Sequence, residues 1–441
     1  ARTPVFPHGM ASVIEAPPGI ETPPDIEAPL RIVAADASMA STPASLLQEI
    51  LHDAPFPSPR MPRPRLAEDA GGVRYHLALI ETVRDALQGQ GLKPELFHSP
   101  EGDKANLFVT LPAQDGGTQG GIILSGHTDV VPVDGQDWQS DPFVLTERDG
   151  LLHGRGTADM KGFLAAALAL VPEFLAMKRT QPLHLAFSYD EEVGCVGAPL
   201  MLAGLNRRGL RADGCVVGEP TGMRVVVAHK GISLFRCRVH GKAAHSSLTP
   251  QGCNAIEHAA RLICHIRDLA ERFRSEGPYD RAFDVPFSTI TTNLISGGIA
   301  VNTIPDSCEF TYEFRNLPGM SPQAIQARIT DYVEQVLLPR MRAECPEARI
   351  DISAKAAGVP ALEAAEQEAI TRLARALTRD ETVTKVAYGT EAGQFQNAGY
   401  PAIVCGPGHI AQAHRPDEYV SIEQLNACTD FLRQLGASSV A

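Results

Sequence analysis

Four short apolar runs in this chain each end at a histidine or at acidic residues. The runs GIILSG, HLAFS, CVVG and AIVCG lead to His127, to Glu191 and Glu192, to Glu219, and, after a glycine-containing loop, to His414. Short apolar runs that alternate with helical patterns indicate an α/β fold whose sheet is buried on both faces. Ligands in such folds collect at the carboxyl ends of the strands. We therefore expect these side chains to meet at one edge of a central, mostly parallel sheet.

The pattern along the chain changes twice. With 441 residues the chain exceeds the usual size of one hydrophobic core, so we expect more than one domain. From residue 231 the α/β rhythm gives way to a β-α-β-β-α order, which suits a small ferredoxin-like layer. We predict an α/β domain formed by residues 41–230 and 348–441, and a smaller α+β lid formed by residues 231–347. The proline-rich and alanine-rich residues 1–40 are predicted to be a disordered extension.

Periodicity places the individual elements. The predicted helices are 75–88, 160–175, 254–273, 321–342 and 364–378. The predicted strands are 105–111, 121–125, 183–188, 215–217, 232–239, 288–294, 308–315, 350–353 and 402–405. A second proline-rich stretch, residues 54–65, interrupts the region in which the first helix of the α/β domain is expected.

Composition narrows the class of protein. The net charge of −13 argues against nucleic acid as a partner, because binding phosphates needs clustered lysine and arginine. No apolar stretch approaches the length of a membrane span. The nine cysteines include no C-x-x-C pair, which predicts reduced and mostly buried thiols, as is typical of a cytoplasmic protein, rather than a disulfide framework.

Two further acidic residues extend the set of candidate metal ligands. Asp129 follows His127 in a His-x-Asp pattern, so its carboxylate could accept a hydrogen bond from the imidazole and fix its orientation. Asp159 precedes an apolar helix in GRGTADMKG, where capping the helix would be its ordinary role. Lys161, in the same segment, is expected at the surface. Each residue alone has a plain structural explanation, but the repeated placement at strand ends favours a metal site.

The donor types and the adjacent glutamates point to hydrolysis. Imidazole and carboxylate ligands suit zinc, with cobalt or manganese as alternatives. Three ligands for each metal, with one carboxylate shared, would form a two-metal site around a bridging water. Of two adjacent glutamates, one can bind a metal while its neighbour reaches the attacking water.

Five segments together resemble a known family. SGHTDVVP, GRGTADMKG, DEEVG, GEPTG and AHRPDEYV are similar to the dinuclear-zinc aminoacylase and carboxypeptidase family, and the resemblance runs from about residue 74 to the end of the chain. It implies two Zn²⁺ ions that share Asp159 as a bridging ligand. His127 and Glu219 would complete the ligands of one ion, and Glu192 and His414 those of the other. It also implies Glu191 as the general base and Asp129 as the residue that orients His127.

The resemblance extends to the lid and to substrate contacts. In VHGKAAHSSLTP, His245 would reach the active site of a partner subunit and stabilise the oxyanion, so the family implies a homodimer formed through the lid; a surface-loop histidine is the alternative. Asn302 and Arg315 match positions that contact substrate, and arginine suits a carboxylate because it donates two parallel hydrogen bonds. A structural salt bridge is the alternative for Arg315. Glu391, in YGTEAG, could face the amine of the substrate or be a plain loop carboxylate.

The expected activity is hydrolysis of an N-acylated amino acid. AHRPDEYV and YGTEAG resemble the branch of the family that removes the acetyl group from N2-acetyl-L-ornithine. The alternatives are desuccinylation of succinyl-diaminopimelate, general aminoacylase activity, and carboxypeptidase or dipeptidase activity. A metal-free binding protein on the same scaffold is the alternative from outside the enzymes.

Overall fold

The computed structural model describes residues 42–52 and 73–438, and the predictions for residues 1–40 and 54–65 lie outside them. The strands are, in chain order, β1 Glu95–His98, β2 Ala105–Leu111, β3 Ile122–His127, β4 Thr146–Arg148, β5 Leu151–His153, β6 Leu183–Ser188, β7 Gly214–Val217, β8 Val226–His229, β9 Gly231–His240, β10 Ala244–His245, β11 Thr289–Gly297, β12 Thr303–Ile304, β13 Ser307–Asn316, β14 Arg349–Ala354, β15 Leu362–Glu363, β16 Thr384–Val386, β17 Ala402–Val404 and β18 Tyr419–Ser421. Nine of these strands form the large central sheet.

Helices surround the sheets. They are α1 Pro43–His52, α2 Val73–Gly89, α3 Gly162–Ala169, α4 Val171–Ala176, α5 Ala198–Arg207, α6 Ala255–Glu276, α7 Pro322–Tyr332, α8 Leu338–Glu344, α9 Ala369–Thr378, α10 Ala392–Asn397 and α11 Ile422–Ala437. One predicted helix is broken at a proline: Pro172, near the start of α4, cannot donate a backbone hydrogen bond, so α3 ends before it. The predicted helix 321–342 instead continues from α7 through a π-helical turn, Val333–Leu337, into α8, whose first turn contains Pro339.

The central sheet is mixed, and its middle is parallel. Its order is β1-β2-β6-β3-β7-β17-β8-β15, with β16 beside β8. The four middle strands β6, β3, β7 and β17 are parallel to one another, whereas the pairs β1–β2, β2–β6, β17–β8 and β8–β15 are antiparallel. This confirms the α/β fold. The strands that join through antiparallel pairs, β1, β2, β8 and β15, lie on either side of the parallel centre.

Strand register brings the candidate ligands to one edge. His127 at the end of β3 pairs with Ser188 at the end of β6, and Ser125 on β3 pairs with Val217 at the end of β7. The loops that follow these three strands therefore start side by side. The strands can be apolar and fully buried because α3 and α11 cover one face, and α5 and α10 pack on the other.

A second, antiparallel sheet has its own core. Its order is β11-β13-β9-β14, and α6 and α7 pack on one face around Phe310, Tyr312 and Leu262. The order β9, α6, β11, β13, α7–α8, β14 follows the predicted β-α-β-β-α sequence of elements. The helix α6 begins where the side chain of Asn254 accepts hydrogen bonds from the N–H groups of residues 256 and 257.

Buried thiols are confirmed. All nine cysteines are free, and only Cys264 is exposed. Among the described residues, no helix is both long enough and apolar enough to span a membrane.

Candidate active site

His127, Asp159 and Glu219 form the first candidate metal group. Nε2 of His127 lies 3.1 Å from Oδ1 of Asp159 and 3.7 Å from Oε1 of Glu219, and all three side chains are buried. Nδ1 of His127 donates a hydrogen bond of 2.9 Å to the backbone carbonyl of Asp129. Because Nδ1 is used in this way, Nε2 is the imidazole atom that faces the two carboxylates.

Asp159, Glu192 and His414 form the second group and share Asp159 with the first. Nε2 of His414 lies 3.3 Å from Oδ2 of Asp159 and 3.0 Å from Oε2 of Glu192. In each group the potential ligand atoms lie within 4.8 Å of one another. Oε1 of Glu192 is buried and has no hydrogen-bond partner among the described residues. A buried carboxylate oxygen without a partner is costly, and a bound cation would satisfy it.

Burial and mutual repulsion disturb the acid–base properties of the site. Burial, together with the nearby Glu192 and Asp159, raises the pKa of Glu191 to about 8, although His127 opposes the shift. Burial also raises the pKa of Glu219 well above its ordinary value. For Asp159 burial acts in the same upward direction, but hydrogen bonds with the two histidines outweigh it and lower the pKa. The surplus of buried negative charge is what a pair of divalent cations would neutralise.

Asp159 lies in an irregular turn, Thr157–Lys161, between β5 and α3. Its peptide bond to Met160 is cis. Lys161 in this turn is buried, and its ammonium donates to the carbonyl of Ile50 in α1. The expectation that Lys161 lies at the surface was wrong, because α1 covers this part of the turn.

The carboxylate of Asp129 contacts the glutamate pair more closely than it contacts His127. Its two oxygens accept hydrogen bonds from the backbone N–H groups of Glu191, at 3.1 Å, and of Glu192, at 3.0 Å. By contrast, the distance from its Oδ1 to Nδ1 of His127 is 3.6 Å. The backbone carbonyl of Asp129 orients the imidazole, and its side chain holds the turn that presents Glu191 and Glu192.

Three predicted site residues lie outside the central sheet, within residues 231–347. His245 is exposed on β10, and its Nδ1 lies 2.7 Å from the hydroxyl of Ser247. Asn302 is exposed, and its carbonyl accepts a hydrogen bond from the N–H of Ser246, next to His245. Arg315 on β13 is half-buried and pairs with Glu313 at 3.2 Å.

Glu391 lies beneath the site. It is 1% exposed, and its two oxygens accept hydrogen bonds of 2.6 Å from the hydroxyls of Ser125 and Ser188. These serines are on β3 and β6, so the carboxylate bridges the two strands that carry His127 and the glutamate pair. These two hydroxyls are the hydrogen-bond partners of its carboxylate among the described residues; a contact with the amine of a substrate stays a prediction.

Cys253, His258 and Glu344 form another group of potential ligands, on and beside helices α6 and α8. Nε2 of His258 lies 3.0 Å from Glu344, and Nδ1 has no partner among the described residues. A metal-binding histidine normally anchors its other nitrogen on a carbonyl or carboxylate. We interpret this group as a hydrogen-bonded cluster.

Arg155 and Glu418 were missed in the sequence, although both lie inside the motifs GRGTADMKG and AHRPDEYV. Each is 1% exposed, and Nη1 of Arg155 lies 2.5 Å from Oε2 of Glu418. The sequence offered one sign of their importance: each is a charged residue within a motif that supplies a metal ligand, yet neither had been given a role.

Comparison with known proteins identifies the family of this chain. Residues 123–437 match the model of peptidase family M20/M25/M40. The chain belongs to this family. It is 35% identical over 371 residues to an acetylornithine deacetylase from Proteus mirabilis, covering 84% of this chain and 92% of that protein. It is 36% identical to an acetylornithine deacetylase from Pasteurella multocida, covering 81% and 90%.

Solved structures share the fold. An aminopeptidase from Bacillus cereus superposes with a TM-score of 0.64 at 18% identity, covering 90% of this chain and 98% of that one. A dinuclear metal-binding peptidase of the M20 family from Bacillus subtilis superposes with a TM-score of 0.57 at 14% identity, covering 90% and 98%.

Proposed function

We propose that this protein is a metal-dependent amidohydrolase that removes the acetyl group from N2-acetyl-L-ornithine, giving L-ornithine and acetate, a step of arginine biosynthesis. The observation that carries the chemistry is the pair of ligand groups that share Asp159, with Glu191 beside them. The choice of substrate is supported by the two acetylornithine deacetylases that match over most of the chain.

Two Zn²⁺ ions are the proposed cofactors, with Co²⁺ or Mn²⁺ as substitutes. The imidazole and carboxylate donors suit these metals, and the unpartnered oxygen of Glu192 fits a cation. One ion would be held by His127, Asp159 and Glu219, and the other by Asp159, Glu192 and His414. When bound, the pair would supply Lewis acidity, which makes water a stronger acid and polarises the acyl carbonyl.

Glu191 is the proposed general base. Its carboxylate takes a proton from the attacking water and returns it to the departing amine. The hydrogen bonds from the Glu191 and Glu192 N–H groups to Asp129 hold the turn, so that the two neighbours keep different tasks.

The test is the Glu191→Gln variant, assayed with a panel of substrates. We expect turnover to fall by about 10²- to 10⁴-fold while the content of bound metal stays at two ions per chain, because glutamine keeps the shape but cannot accept a proton. Full activity would remove the assignment of the base. The panel for the unmodified protein compares acetylornithine, succinyl-diaminopimelate, acetylmethionine and a dipeptide. Preference for another substrate would contradict the proposed substrate but not metal-dependent amide hydrolysis. Absence of stoichiometric metal would favour a binding protein without enzyme activity.

A homodimer through the second sheet is also proposed. The strand β11 lies at the edge of that sheet, and the side chains of Leu294, Ile295, Ile299 and Val301 near it are 58–104% exposed. An uncovered apolar edge strand is a ready surface for pairing. His245 lies on β10, in a separate two-stranded sheet with β12, and is exposed, as is required of a residue that reaches the site of a partner subunit.

Mixing two inactive variants tests the shared site. Chains with Glu191→Gln and chains with His245→Ala should be inactive alone and regain activity when mixed, since a mixed dimer has one intact site. Leu294→Asp should produce monomers in analytical ultracentrifugation. The control Val383→Asp, at an exposed apolar residue outside the second sheet, should not. A fully active monomer would contradict the role of His245.

A further inference from the structure

The buried pair of Arg155 and Glu418 connects the two segments that carry Asp159 and His414. Arg155 comes two residues after β5 and four residues before Asp159, while Glu418 comes four residues after His414, directly before β18. The strands β5 and β18 are antiparallel partners, with His153 opposite Tyr419. Strand pairing therefore brings together the end of each segment that adjoins a strand, and the charged pair lies between these two ends.

Glu418 holds the turn of Asp159. Its Oε1 accepts hydrogen bonds from the backbone N–H groups of Ala158, at 3.0 Å, and of Asp159, at 3.1 Å. Its other oxygen receives Nη1 of Arg155. The backbone carbonyl of Glu418 accepts a further bond from the N–H of Gly154. The position of the Asp159 backbone is thus set by a residue 259 positions further along the chain.

Arg155 holds the loop of His414. Its Nη1 donates to the carbonyl of Arg415 at 3.3 Å, and its Nη2 donates to Oε1 of Gln136 at 2.6 Å. The amide nitrogen of Gln136 in turn donates to the carbonyl of His414 at 3.0 Å. The guanidinium also lies over the ring of Trp138, 5.2 Å from its centre. Only a planar group with several fixed donors can make these contacts at once.

A buried ion pair alone is weak support for stability, because removing both charges from water offsets most of their attraction. The contacts of this pair are directed at the backbone beside two ligands of one metal group. Residues that orient metal ligands typically change metal affinity by about 10- to 100-fold when they are replaced. A purely structural pair would affect folding without affecting the metals.

We propose that Arg155 and Glu418 are positioning residues that set Asp159 and His414 at the spacing needed to hold the second metal. The inference rests on the proposed metal-dependent function. It assigns to the ion pair the role of connecting the turn of Asp159 to the loop of His414. The pair acts through backbone positions and touches neither metal nor substrate.

Zinc titration of the metal-free protein tests the proposal without any substrate. We expect Glu418→Gln to weaken zinc binding by about 10- to 100-fold at the group of Asp159, Glu192 and His414, and by less at the other group, which shares only Asp159. Neutral glutamine has one acceptor oxygen, whereas Glu418 uses two, one for Arg155 and one for the Asp159 turn. Arg155→Met should have a similar effect, and Arg155→Lys, which keeps the charge but not the planar fork, should lie between it and the unmodified protein. The double variant Arg155→Met with Glu418→Gln should be no worse than either single change, since the residues act as one unit.

Arg179 provides the matched control. It is also 1% exposed, and its guanidinium donates to backbone carbonyls of the described residues, such as those of Leu111 and Phe174. Arg179→Met removes an equally buried arginine far from the Asp159 turn, so it should lower the melting temperature and leave both zinc affinities unchanged. Hydrogen exchange of the metal-free protein gives a second readout: residues 155–162 and 409–418 should exchange faster together in Glu418→Gln and not in Arg179→Met.

The outcomes separate this inference from the proposed function. Zinc affinities of Glu418→Gln and Arg155→Lys within twofold of those of Arg179→Met would overturn the positioning role, even if acetylornithine is hydrolysed. A loss of zinc affinity in both variants that is absent from Arg179→Met, and larger for one zinc than for the other, would support it even if the substrate panel selects a different acyl amino acid. Should Arg155→Met fail to fold, the two more conservative variants still decide the question.

Discussion

Replacing Asp129 with asparagine tests the finding that this side chain holds the glutamate pair. In the structure its carboxylate accepts two backbone hydrogen bonds, one from Glu191 and one from Glu192, and the residue is 3% exposed. Bonds to a charged acceptor contribute about 1.5–3 kcal/mol each. Asparagine keeps one of them as a neutral bond of about 1 kcal/mol and turns its NH₂ group toward the other N–H. The expected loss of unfolding free energy is therefore about 3 kcal/mol.

Urea unfolding of the metal-free protein, followed by circular dichroism, measures this loss. Asp134→Asn is the control, because Asp134 lies in the same loop and is exposed, so its change should stay within about 0.5 kcal/mol. If Asp129→Asn is no more destabilising than Asp134→Asn, the carboxylate does not hold the turn.

A double-mutant cycle with His127→Ala distinguishes the two candidate partners of Asp129. If the carboxylate acts through the imidazole, as the sequence pattern suggested, the effect of Asp129→Asn should disappear once the imidazole is removed. If it acts through the N–H groups of the glutamate pair, the loss should remain about 3 kcal/mol in that background. A vanishing effect would refute our interpretation of the 3.6 Å distance between Asp129 and the imidazole.

Three further predictions concern buried groups and exposed thiols. Burial raises the pKa of Glu391, so its contribution to stability is present at acid pH and is lost as the pH rises above 4.5. Glu391→Gln should therefore be more favourable to folding at pH 8 than at pH 4 and should leave the KM for acetylornithine unchanged; a tenfold higher KM would restore a substrate contact. Burial lowers the pKa of His229 to about 4, so acidification from pH 7 to 4 should cost up to about 3 kcal/mol, a slope that His229→Gln should flatten in acid titrations of unfolding. Iodoacetamide should label Cys264 alone in the folded protein, and mass spectrometry showing rapid labelling of any buried cysteine would contradict the assigned burial.

Patterns of neighbouring residues predicted much of the fold. The apolar runs of β3, β6 and β7 match the predicted strands within about two residues, because the side chains on both faces of a buried strand must be apolar. The break before α4 depends on Pro172, which the periodicity had absorbed into one longer helix. Local chemistry therefore indicates where an element lies more reliably than where it ends.

Contacts between distant residues could not be predicted in the same way. The sequence suggested that Asp129 orients His127 from two positions away, but the register of β3 and β6 places its carboxylate under the N–H groups of Glu191 and Glu192. Likewise, nothing local distinguishes a glutamate that faces a substrate from one that accepts hydrogen bonds from two strands, as Glu391 does.

The sequence by itself determined the α/β class and the identity of the candidate ligands, since both follow from residue type and short-range spacing. The tertiary structure alone decided which atoms meet. The carboxylate of Glu391 joins β3 to β6, and Arg155 pairs with a glutamate 263 positions away. Such contacts depend on strand order and register, which arise from packing of the whole chain, and a one-residue shift in register would redirect every side chain involved.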